Sequence, residues 1–402
     1  MLFANISAPL SGNEWIASTE SLGRVTAAGI LAPHPLPEFP RSTVDGYALR
    51  SRDTHGAGES LPAYFVVRAE VSMGEAPGFR LDVGECALIH TGGMLPEGSD
   101  AVVMLEYTQK AAGETEIEVL RPVAMGENTI RIGEDVASGS VVIEKGQMIR
   151  PAEIGGLMAL GILGLQVVKR PRVGLISTGD EVISPSEKPR PGQVRDVNMH
   201  TLQSLIGQAG GEAVSYGIVP DNMDSMAAVA EKALGACDAV IITAGSSASS
   251  RDITADVISS LGKPGVIVHG INTRPGKPTI LGACEGKAVL GLPGNPVSAL
   301  VNGYLFVLPL LDRLSGRRPE PVATVRARLT SNLPSQAGRE DWSPVRLVRD
   351  PAGVDQTSYL AEPIYGKSNL IFTLSRADGL LEIPADVTGL SAGSIVEVRL
   401  LR

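Results

Sequence analysis

The sequence has few of the residues that build redox, zinc or nucleophile sites. Its three cysteines, Cys86, Cys237 and Cys284, are widely spaced without a Cys-x-x-Cys pair, so we expect buried, reduced side chains and no zinc site. The five histidines are scattered, and no Gly-x-Ser-x-Gly elbow, P-loop or His-Glu-x-x-His motif occurs. Chemistry carried by carboxylates, lysine and backbone donors remains.

The chain also lacks long apolar runs and basic stretches. No segment reaches the roughly 18 consecutive apolar residues of a membrane span, and the N-terminus has no signal pattern. The net charge is −9 and no run of lysine or arginine occurs, which disfavours binding to nucleic acid or to a membrane surface. We therefore predict a cytoplasmic protein that meets any anionic ligand with local positive groups.

Turn residues, in contrast, are abundant. The 46 glycines and 28 prolines among 402 residues indicate several compact units with considerable β-structure. Apolar spacing predicts a helix within Glu14 to Ile30, short β-branched runs predict a small β-domain between Tyr64 and Val123, and Pro151 opens a helix that runs toward Leu163. After Pro171 strands and helical stretches alternate, which predicts a mostly parallel sheet covered on both faces.

These patterns predict an α/β multidomain protein with four domains. A mixed linker domain is discontinuous (residues 1–50 and 132–170) and flanks an inserted β-domain (51–131). A central, mostly parallel α/β domain of three layers, Rossmann-type, follows (171–318), and a C-terminal β-domain ends the chain (319–402).

Two predicted strands of the α/β domain run into loops of small, polar and acidic residues. The first, Val173 to Ile176, leads into Ser177-Thr178-Gly179-Asp180-Glu181, and the second, Val240 to Ile242, leads into the loop from Thr243 to Asp252, which contains Gly245-Ser246-Ser247. Because the carboxyl ends of parallel strands share one sheet edge, both loops are expected there. Small residues let backbone N–H groups approach an oxyanion, although serine-rich helix entries are also common as simple caps.

Two acids beside this anion cradle suggest a cation. Glu181 and Asp252 would repel a bound phosphate unless a hard ion intervened, and magnesium binds carboxylate and phosphate oxygens together. Both residues are therefore candidate metal ligands. The alternative for Asp180 and Glu181 is turn formation with pairing to a helix dipole.

Two proline-rich loops add a fixed lysine. Lys277 stands between Pro275-Gly276 and Pro278, and Pro293-Gly294-Asn295-Pro296 separates an apolar strand from a helical run. Such flanking prolines permit neither helix nor sheet, which favours a lysine held toward an anionic ligand. Asp45, before Gly46, is either a ligand contact or part of an Asx turn.

In order and spacing these motifs resemble the molybdopterin molybdenumtransferase family, the MoeA proteins and the E-domain of gephyrin. The resemblance extends over essentially the whole chain and rests on Ser42–Ala48, Ile89–Gly93, Pro96–Val103, Ile130–Val136, Ser177–Glu181, Val194–Asn198, Pro275–Pro278, Gly291–Ser298, Gly366–Ser368 and Ala377–Leu380. The chain departs from the family's usual pattern where Ser246 and Ser249 replace glycines and Arg274 replaces a frequent lysine.

The resemblance implies an elongated homodimer with a MogA-like α/β domain, a C-terminal β-barrel-like domain and an active site between subunits. It implies an enzyme that receives adenylylated molybdopterin from a molybdopterin adenylyltransferase, inserts molybdate and releases AMP, with Mg²⁺ as cofactor. The implied catalytic residues are Asp45, Thr91 and Asp135 of one subunit with Glu181, Asp252 and Lys277 of its partner. The implied pterin and adenylate contacts are Thr178, Gly179, Asp180, Gly245, Ser246, Ser247, Pro293, Gly294, Asn295 and Pro296.

Two alternatives accompany this interpretation. A non-catalytic scaffold or carrier of molybdopterin would parallel the receptor-anchoring role of gephyrin, but the retained acids favour an enzyme. Tungstate is nearly isosteric with molybdate, so a tungstate-inserting homologue has the same residue pattern.

Overall fold

A computed structural model describes residues 1–7, 12–111, 115–244, 248–350 and 358–401 and, of residues 248–252, the backbone alone. The chain forms two compact units. The first comprises Met1–Ala27, Gly146–Arg150 and Gly164–Arg402, and the second comprises Ala28–Lys145 and Pro151–Leu163. The division into four domains made from the sequence stays a prediction.

Up to residue 170 the described chain consists of short strands and a helix, which begins at the predicted Pro151. The elements are β1 (Asn13–Ala17), β2 (Ile30–Leu31), β3 (Arg41–Ser42), β4 (Gly46–Leu49), β5 (Ala63–Glu70), β6 (Glu85–Ile89), β7 (Ala101–Met104), β8 (Thr108–Lys110), β9 (Glu116–Val119), β10 (Thr129–Ile130), β11 (Val141–Ile143), α1 (Pro151–Ala159) and β12 (Gly164–Val168).

The second unit is built on a six-stranded sheet in the order β7-β4-β6-β5-β9-β8. Strands β5 and β6 run parallel, and their neighbours pair antiparallel. Alternating residues of β4 enter two different core clusters, Tyr47 and Leu49 in one and Ala48 in the other, as the period of two in a strand requires. The β-rich character predicted for this region is confirmed.

The helix predicted within Glu14 to Ile30 is wrong. Residues Asn13–Ala17 form β1, which pairs antiparallel with β12, and burial alternates along the strand. Further on, Val25 and Ala27 pack against Val168, and Thr26 forms a bridge to Val167. Pairing with a distant strand satisfies this backbone, which outweighs a weak local helical spacing.

The central part of the chain alternates strands and helices as predicted. Its elements are β13 (Arg172–Thr178), β14 (Val182–Ile183), β15 (Val194–Arg195), α2 (Asn198–Gln208), β16 (Glu212–Val219), α3 (Met223–Ala236), β17 (Ala239–Ala244), α4 (Ala248–Ser260), β18 (Pro264–His269), β19 (Thr273–Arg274), β20 (Ile280–Cys284), β21 (Lys287–Pro293), α5 (Pro296–Asn302) and α6 (Leu308–Ser315).

Six of these strands form a mixed sheet in the order β16-β13-β17-β21-β20-β18. The first four run parallel, while β20 and β18 complete the sheet antiparallel. Helices α2 and α6 pack on one face through residues such as Leu202 and Leu310, and α3 and α4 pack on the other through residues such as Met226 and Val257. The predicted three-layer, mostly parallel domain is confirmed.

One helical run in the described chain is long and apolar enough to cross a membrane. It extends from Pro296 to Ser315 with a mean hydropathy of 1.4, which the sequence analysis did not single out. A π-helical turn at Gly303–Val307 joins α5 to α6. Leu310, Leu311 and Leu314 of this run are buried in the α/β core, which is the position of a core helix.

All three cysteines are buried and unpaired, as predicted. Burial raises the pKa of the Cys86 thiol to about 12 and that of Cys284 to about 11. These thiols are held in their neutral form at physiological pH.

The C-terminal part forms a closed barrel. Its elements are β22 (Thr324–Leu329), β23 (Leu333–Pro334), β24 (Glu340–Arg349), β25 (Tyr359–Pro363), α7 (Phe372–Ser375), β26 (Gly379–Ile383), β27 (Gly389–Leu390) and β28 (Ile395–Leu400). The strands pair in the order β24-β25-β22-β28-β26, and β26 pairs back with β24 to close the ring. The β-barrel-like C-terminal domain implied by the resemblance is confirmed.

Closure depends on a glycine where β26 meets both neighbours. A Cβ atom on Gly379 would lie 2.4 Å from Val398 Cγ1 and 2.6 Å from the Arg399 carbonyl oxygen. We predict that Gly379→Ala destabilises the barrel by about 1–3 kcal/mol, since backbone atoms must shift to admit the methyl group. Urea unfolding followed by Trp342 fluorescence measures this in a Trp15→Phe background, which leaves Trp342 as the remaining tryptophan.

Gly235→Ala in α3 is the matched control, because a Cβ there has nothing within 4 Å. Alanine inside a helix is expected to be neutral or slightly stabilising. Equal stability of the two variants would contradict the steric account of closure.

Candidate active site

Three loops leave the α/β sheet at one edge. Thr178, Ala244 and Pro293 end the neighbouring parallel strands β13, β17 and β21, and Ala244 pairs with Pro293. The chain passes from β13 outward to β16 and returns to β17 on the other side of β13. Ligands bind at the carboxyl ends of strands where the strand order reverses in this way.

The loop after β13 is held in one conformation. Gly179 has φ +140°, and a Cβ there would lie 2.7 Å from Val182 Cγ2, so this position requires glycine. Asp180 Oδ1 accepts a hydrogen bond from the Asp221 backbone N–H at 3.3 Å. Glu181 is exposed beside it. The structure thus brings the predicted residues from Thr178 to Glu181 to the sheet edge.

Asp221 is a candidate residue that the sequence analysis missed. Burial raises the pKa of its carboxyl, the Thr178 hydroxyl opposes that rise, and the Asp180 and Glu181 carboxylates add to it. The strand β16 ends two residues earlier, at Val219. The strand-end rule that selected Asp180 would therefore have selected Asp221 as well.

The acids at this edge have the donor chemistry of a magnesium site. Asp221 Oδ1 is buried without a hydrogen-bond partner in the described part of the chain, and such an oxygen beside further carboxylates suits a hard divalent cation. Within the same described ranges, no group of three or more His, Cys, Asp or Glu side chains is placed to hold a metal. The donor set fits Mg²⁺ in kind, without a closed cage.

Some predicted residues lie outside the described residues. Gly245, Ser246 and Ser247 are among them, and so is the side chain of Asp252, whose backbone belongs to α4. The pairing of Glu181 with Asp252 around a metal stays a prediction.

A large cleft separates the α/β domain from the barrel within the first unit. Its volume is about 880 Å³, within the range of small-molecule sites. The walls carry four cationic side chains and one acid among hydroxyls and two aromatic rings: Arg274, Lys277, Arg339, Lys367, Asp341, Ser298, Ser343, Ser368, Thr373, Trp342 and Tyr365.

A buried amide shapes the loop that carries Lys277. Asn302 is fully buried, and its Nδ2 donates to Thr279 Oγ1 at 2.6 Å and to the Gly276 carbonyl oxygen at 3.4 Å. Gly276 has φ +107°, and a Cβ there would lie 2.0 Å from Asn302 Nδ2. The turn therefore closes over the amide and leaves Lys277 exposed at the cleft.

The second proline-rich loop is tied to the barrel. Asn295 Nδ2 donates to Ser368 Oγ at 3.1 Å, and the Val297 N–H donates to the Ser368 carbonyl oxygen at 3.0 Å. On its other side, Asn198 Nδ2 donates to the Gly294 carbonyl oxygen at 2.8 Å. Pro296 occupies the first turn of α5, as the Asn-Pro pattern predicts.

Arg339 and Asp341 are further cleft residues that sequence reasoning missed. They lie at the start of β24, in the run Gly338-Arg339-Glu340-Asp341. Charged residues are common at the start of a strand, so this run does not mark a site. The place of Arg339 and Asp341 in the cleft depends on contacts with residues that are distant in the chain. Lys367, in contrast, belongs to a motif already singled out.

In the second unit, Asp45 and Thr91 form one hydrogen-bonded group. Asp45 Oδ1 accepts from the Thr91 backbone N–H at 2.7 Å and from Thr91 Oγ1 at 3.0 Å. These two bonds, the backbone one first, lower the pKa of Asp45, and the nearby His90 ring lowers it slightly further. His90 lies between Asp45 and Glu70, at 3.8 Å and 3.1 Å.

Asp135 is not joined to this group by any hydrogen bond or ion pair that the described residues form. Its backbone N–H donates to the Leu36 carbonyl oxygen at 3.0 Å, and its side chain is exposed. The six predicted catalytic residues therefore divide between the two units, with Asp45, Thr91 and Asp135 in the second.

Family models match nearly the whole chain in three blocks. They are the MoeA N-terminal region (domain I and II) at residues 2–161, the probable molybdopterin binding domain at 174–313 and the MoeA C-terminal region (domain IV) at 326–401. A putative molybdopterin biosynthesis protein of Methanocaldococcus jannaschii is 34% identical over 413 residues, which cover 100% of this chain and 96% of the relative. The chain belongs to the MoeA family.

Further relatives agree with this assignment. Molybdopterin molybdenumtransferase 2 of Mycobacterium tuberculosis is 33% identical over 94% of this chain and 93% of its own length. A crystal structure of the molybdopterin biosynthesis MoeA protein from Pyrococcus horikoshii OT3 superposes with a TM-score of 0.86 at 32% identity, covering 99% of this chain and 97% of that one. A second structure of a MoeA protein from Pyrococcus horikoshii has a TM-score of 0.79 at 39% identity and covers 99% and 95%.

The turn over Asn302 generates a prediction for anion binding. Gly276→Ala places a methyl group against the buried amide at a positive φ, so the Lys277 loop must move. We expect molybdate binding, measured by isothermal titration calorimetry, to weaken by on the order of 10-fold, since the loop that places Lys277 at the cleft is displaced. Gly207→Ala in α2 has nothing within 4 Å and serves as control; equal affinities would refute the role of the turn.

A second prediction concerns Asp45. Thr91→Ala removes the hydroxyl donor but keeps the backbone N–H, so the pKa of Asp45 should rise toward 3.8 and stay below it. Because the folded-state pKa is lowered, Asp45 stays ionised to lower pH in the parent protein than in the variant. Carboxyl ¹³C NMR titration measures both values, with Asp45→Asn to assign the resonance. Thr108→Ala, which removes a hydroxyl that donates to the Leu105 carbonyl oxygen, should leave the titration unchanged.

Proposed function

We propose that this chain is a molybdopterin molybdenumtransferase, which inserts molybdate into adenylylated molybdopterin with release of AMP. Membership of the MoeA family and relatives named molybdopterin molybdenumtransferase at about 30% identity support this proposal. The donor would be a molybdopterin adenylyltransferase, and we propose a cytoplasmic homodimer with the site between subunits. The resemblance to the MoeA family is the support for this arrangement.

The observation that carries the proposal is the cationic cleft. Arg274, Lys277, Arg339 and Lys367 contribute four positive charges against the single carboxylate of Asp341. Ser298 and Ser368 line the same space and add hydroxyl donors. Planar guanidinium groups, ammonium groups and hydroxyls together recognise tetrahedral oxyanions. Molybdate is a dianion of this shape.

The chemistry that the residues would perform is positioning with charge neutralisation. Release of AMP requires an oxygen nucleophile, water or a molybdate oxygen, to form a new P–O bond to the adenylyl phosphorus as the phosphoanhydride P–O bond breaks, and negative charge develops on the departing molybdopterin phosphate oxygen. Lys277 would neutralise phosphate or molybdate oxygens at the cleft. The Thr91 donors favour the ionised form of Asp45. This carboxylate would accept hydrogen bonds from N–H groups of the pterin and would orient the pterin.

The strand-end acids would hold magnesium. Glu181 and Asp252 are the predicted ligands, and Asp221 adds the buried oxygen without a partner. Bound Mg²⁺ would supply positive charge to the phosphate oxygens. Thr178 and Asp180 would orient Asp221, since the Thr178 hydroxyl bonds to its carboxylate and the Asp180 carboxylate accepts from its backbone N–H.

The proposal is tested by turnover of adenylylated molybdopterin with molybdate and Mg²⁺, following AMP release and metal incorporation together. Molybdate-dependent AMP release is the expected result. Tight pterin binding without AMP release would refute the transferase activity and indicate a carrier. AMP release that depends on tungstate alone would identify tungstate as the inserted oxyanion.

Removal of the predicted acids should abolish most of this activity. Asp45→Ala and Asp252→Ala are each expected to lower the insertion rate by on the order of 10²-fold or more, because a preorganised polar group is lost. Asp82→Ala, an exposed acid of the same unit as Asp45, should retain full activity. Near-normal turnover in both active-site variants would remove these residues from the mechanism.

A further inference from the structure

Asp341 is a buried acid in a cleft whose other charged side chains are cationic. It is 6% exposed, whereas Lys277 and Lys367 on the same walls are exposed. A carboxylate in this place repels the dianion that the cleft is proposed to bind. A role other than repulsion of the ligand would explain an acid at this position.

Both oxygens of Asp341 are engaged, mainly by one guanidinium group. Arg339 Nε donates to Oδ1 at 2.8 Å and Arg339 Nη2 donates to Oδ2 at 3.3 Å. Ser335 Oγ also donates to Oδ2 at 2.8 Å. This fork fixes the plane of the guanidinium and uses two of its five N–H donors, which leaves three outside the fork.

A second arginine of the cleft lies near the same carboxylate. Arg274 Nη1 is 3.8 Å from Asp341 Oδ2, and the Arg274 side chain is 63% exposed. Arg274 belongs to the loop that leaves the α/β domain, and β19 pairs with β24 so that Arg274 is opposite Asp341. Asp341 thus forms a fork with Arg339 and a looser ion pair with Arg274.

Fixing Arg339 has a physical benefit. A free arginine side chain loses rotamer entropy when it binds a ligand. A side chain already held by a buried carboxylate has lost most of that entropy before the ligand arrives. A guanidinium group held in one plane also presents its remaining donors in one geometry, which favours one size of tetrahedral anion over another.

We propose that Asp341 is a positioning residue that holds Arg339 by its fork, and attracts the more exposed Arg274, in the geometry that selects molybdate over smaller tetrahedral dianions such as sulfate. It acts through the arginines and does not touch the anion. The inference rests on the proposed function, since the cleft must bind an oxyanion for the selection to matter.

The direction in which one substitution changes the molybdate affinity distinguishes a positioning role from a purely electrostatic one. Asp341→Asn keeps the side-chain volume and an acceptor for Arg339, and it removes the repulsive charge. If Asp341 acts only by charge, the variant binds dianions more tightly. If Asp341 positions the arginines, we expect molybdate affinity to fall by about 10-fold, a change worth about 1.4 kcal/mol, and the molybdate-to-sulfate affinity ratio to fall with it.

Titration calorimetry of the full chain with molybdate and with sulfate measures both quantities. Glu382→Gln is the matched control, because it removes one acid from β26, opposite Trp342 in the barrel, and does not contact either arginine. Unchanged or tighter molybdate binding by Asp341→Asn overturns the inference. Failure of the parent protein to bind either anion overturns the proposed function of the cleft as well.

A double-mutant cycle tests whether Asp341 acts through Arg339. Arg339→Lys keeps the charge but cannot form the fork, so it should weaken molybdate binding to a similar extent. Asp341→Asn added to Arg339→Lys should then cause little further loss through that fork. Additive losses would show independent roles and contradict the inference. Ser335→Ala, which removes one bond to Oδ2, should cause a smaller loss in the same direction if Asp341→Asn does not fold.

Discussion

A two-residue pairing between β19 and β24 is the constraint on which the cleft depends. It sets Thr273 opposite Glu340 and Arg274 opposite Asp341. Thr273 Oγ1 donates to the Glu340 carbonyl oxygen at 3.1 Å, and Asn272 Nδ2 donates to the Gly338 carbonyl oxygen at 2.8 Å. A loop of the α/β domain is thereby paired to a strand of the barrel, so the separation of the two walls is set by backbone geometry.

A second attachment at Ser368 holds the cleft from the other side. Both its hydroxyl and its carbonyl oxygen accept from the loop around Asn295. With contacts at both ends, the barrel can neither slide along the α/β domain nor open without breaking hydrogen bonds. This fixes the mutual placement of cations from two domains, and preorganised charges of this kind bind an anion without a cost of reorganisation.

The charge distribution explains why the placement of the cleft cations matters. The chain has a net charge of −9, so its overall field repels anions. Salt screens exposed charges beyond a Debye length of about 8–10 Å, and within that distance the cleft cations dominate. Local geometry, more than total charge, therefore decides whether an anion binds. The need for local positive groups follows from the sequence, but Lys277 alone is marked there as a candidate, by the prolines that flank it.

The sequence by itself determined the alternation of strands and helices after Pro171, the polar loops that follow β13 and β17, and the turns at Gly276 and Pro296. These depend on local patterns of burial, proline and glycine, which are readable along the chain. Tertiary structure decided the strand at Asn13–Ala17, the burial of Asp221 Oδ1 and the meeting of Arg274 with Asp341. Each of these depends on a partner distant in sequence, and no local periodicity specifies which distant residue will satisfy a backbone group or a charge.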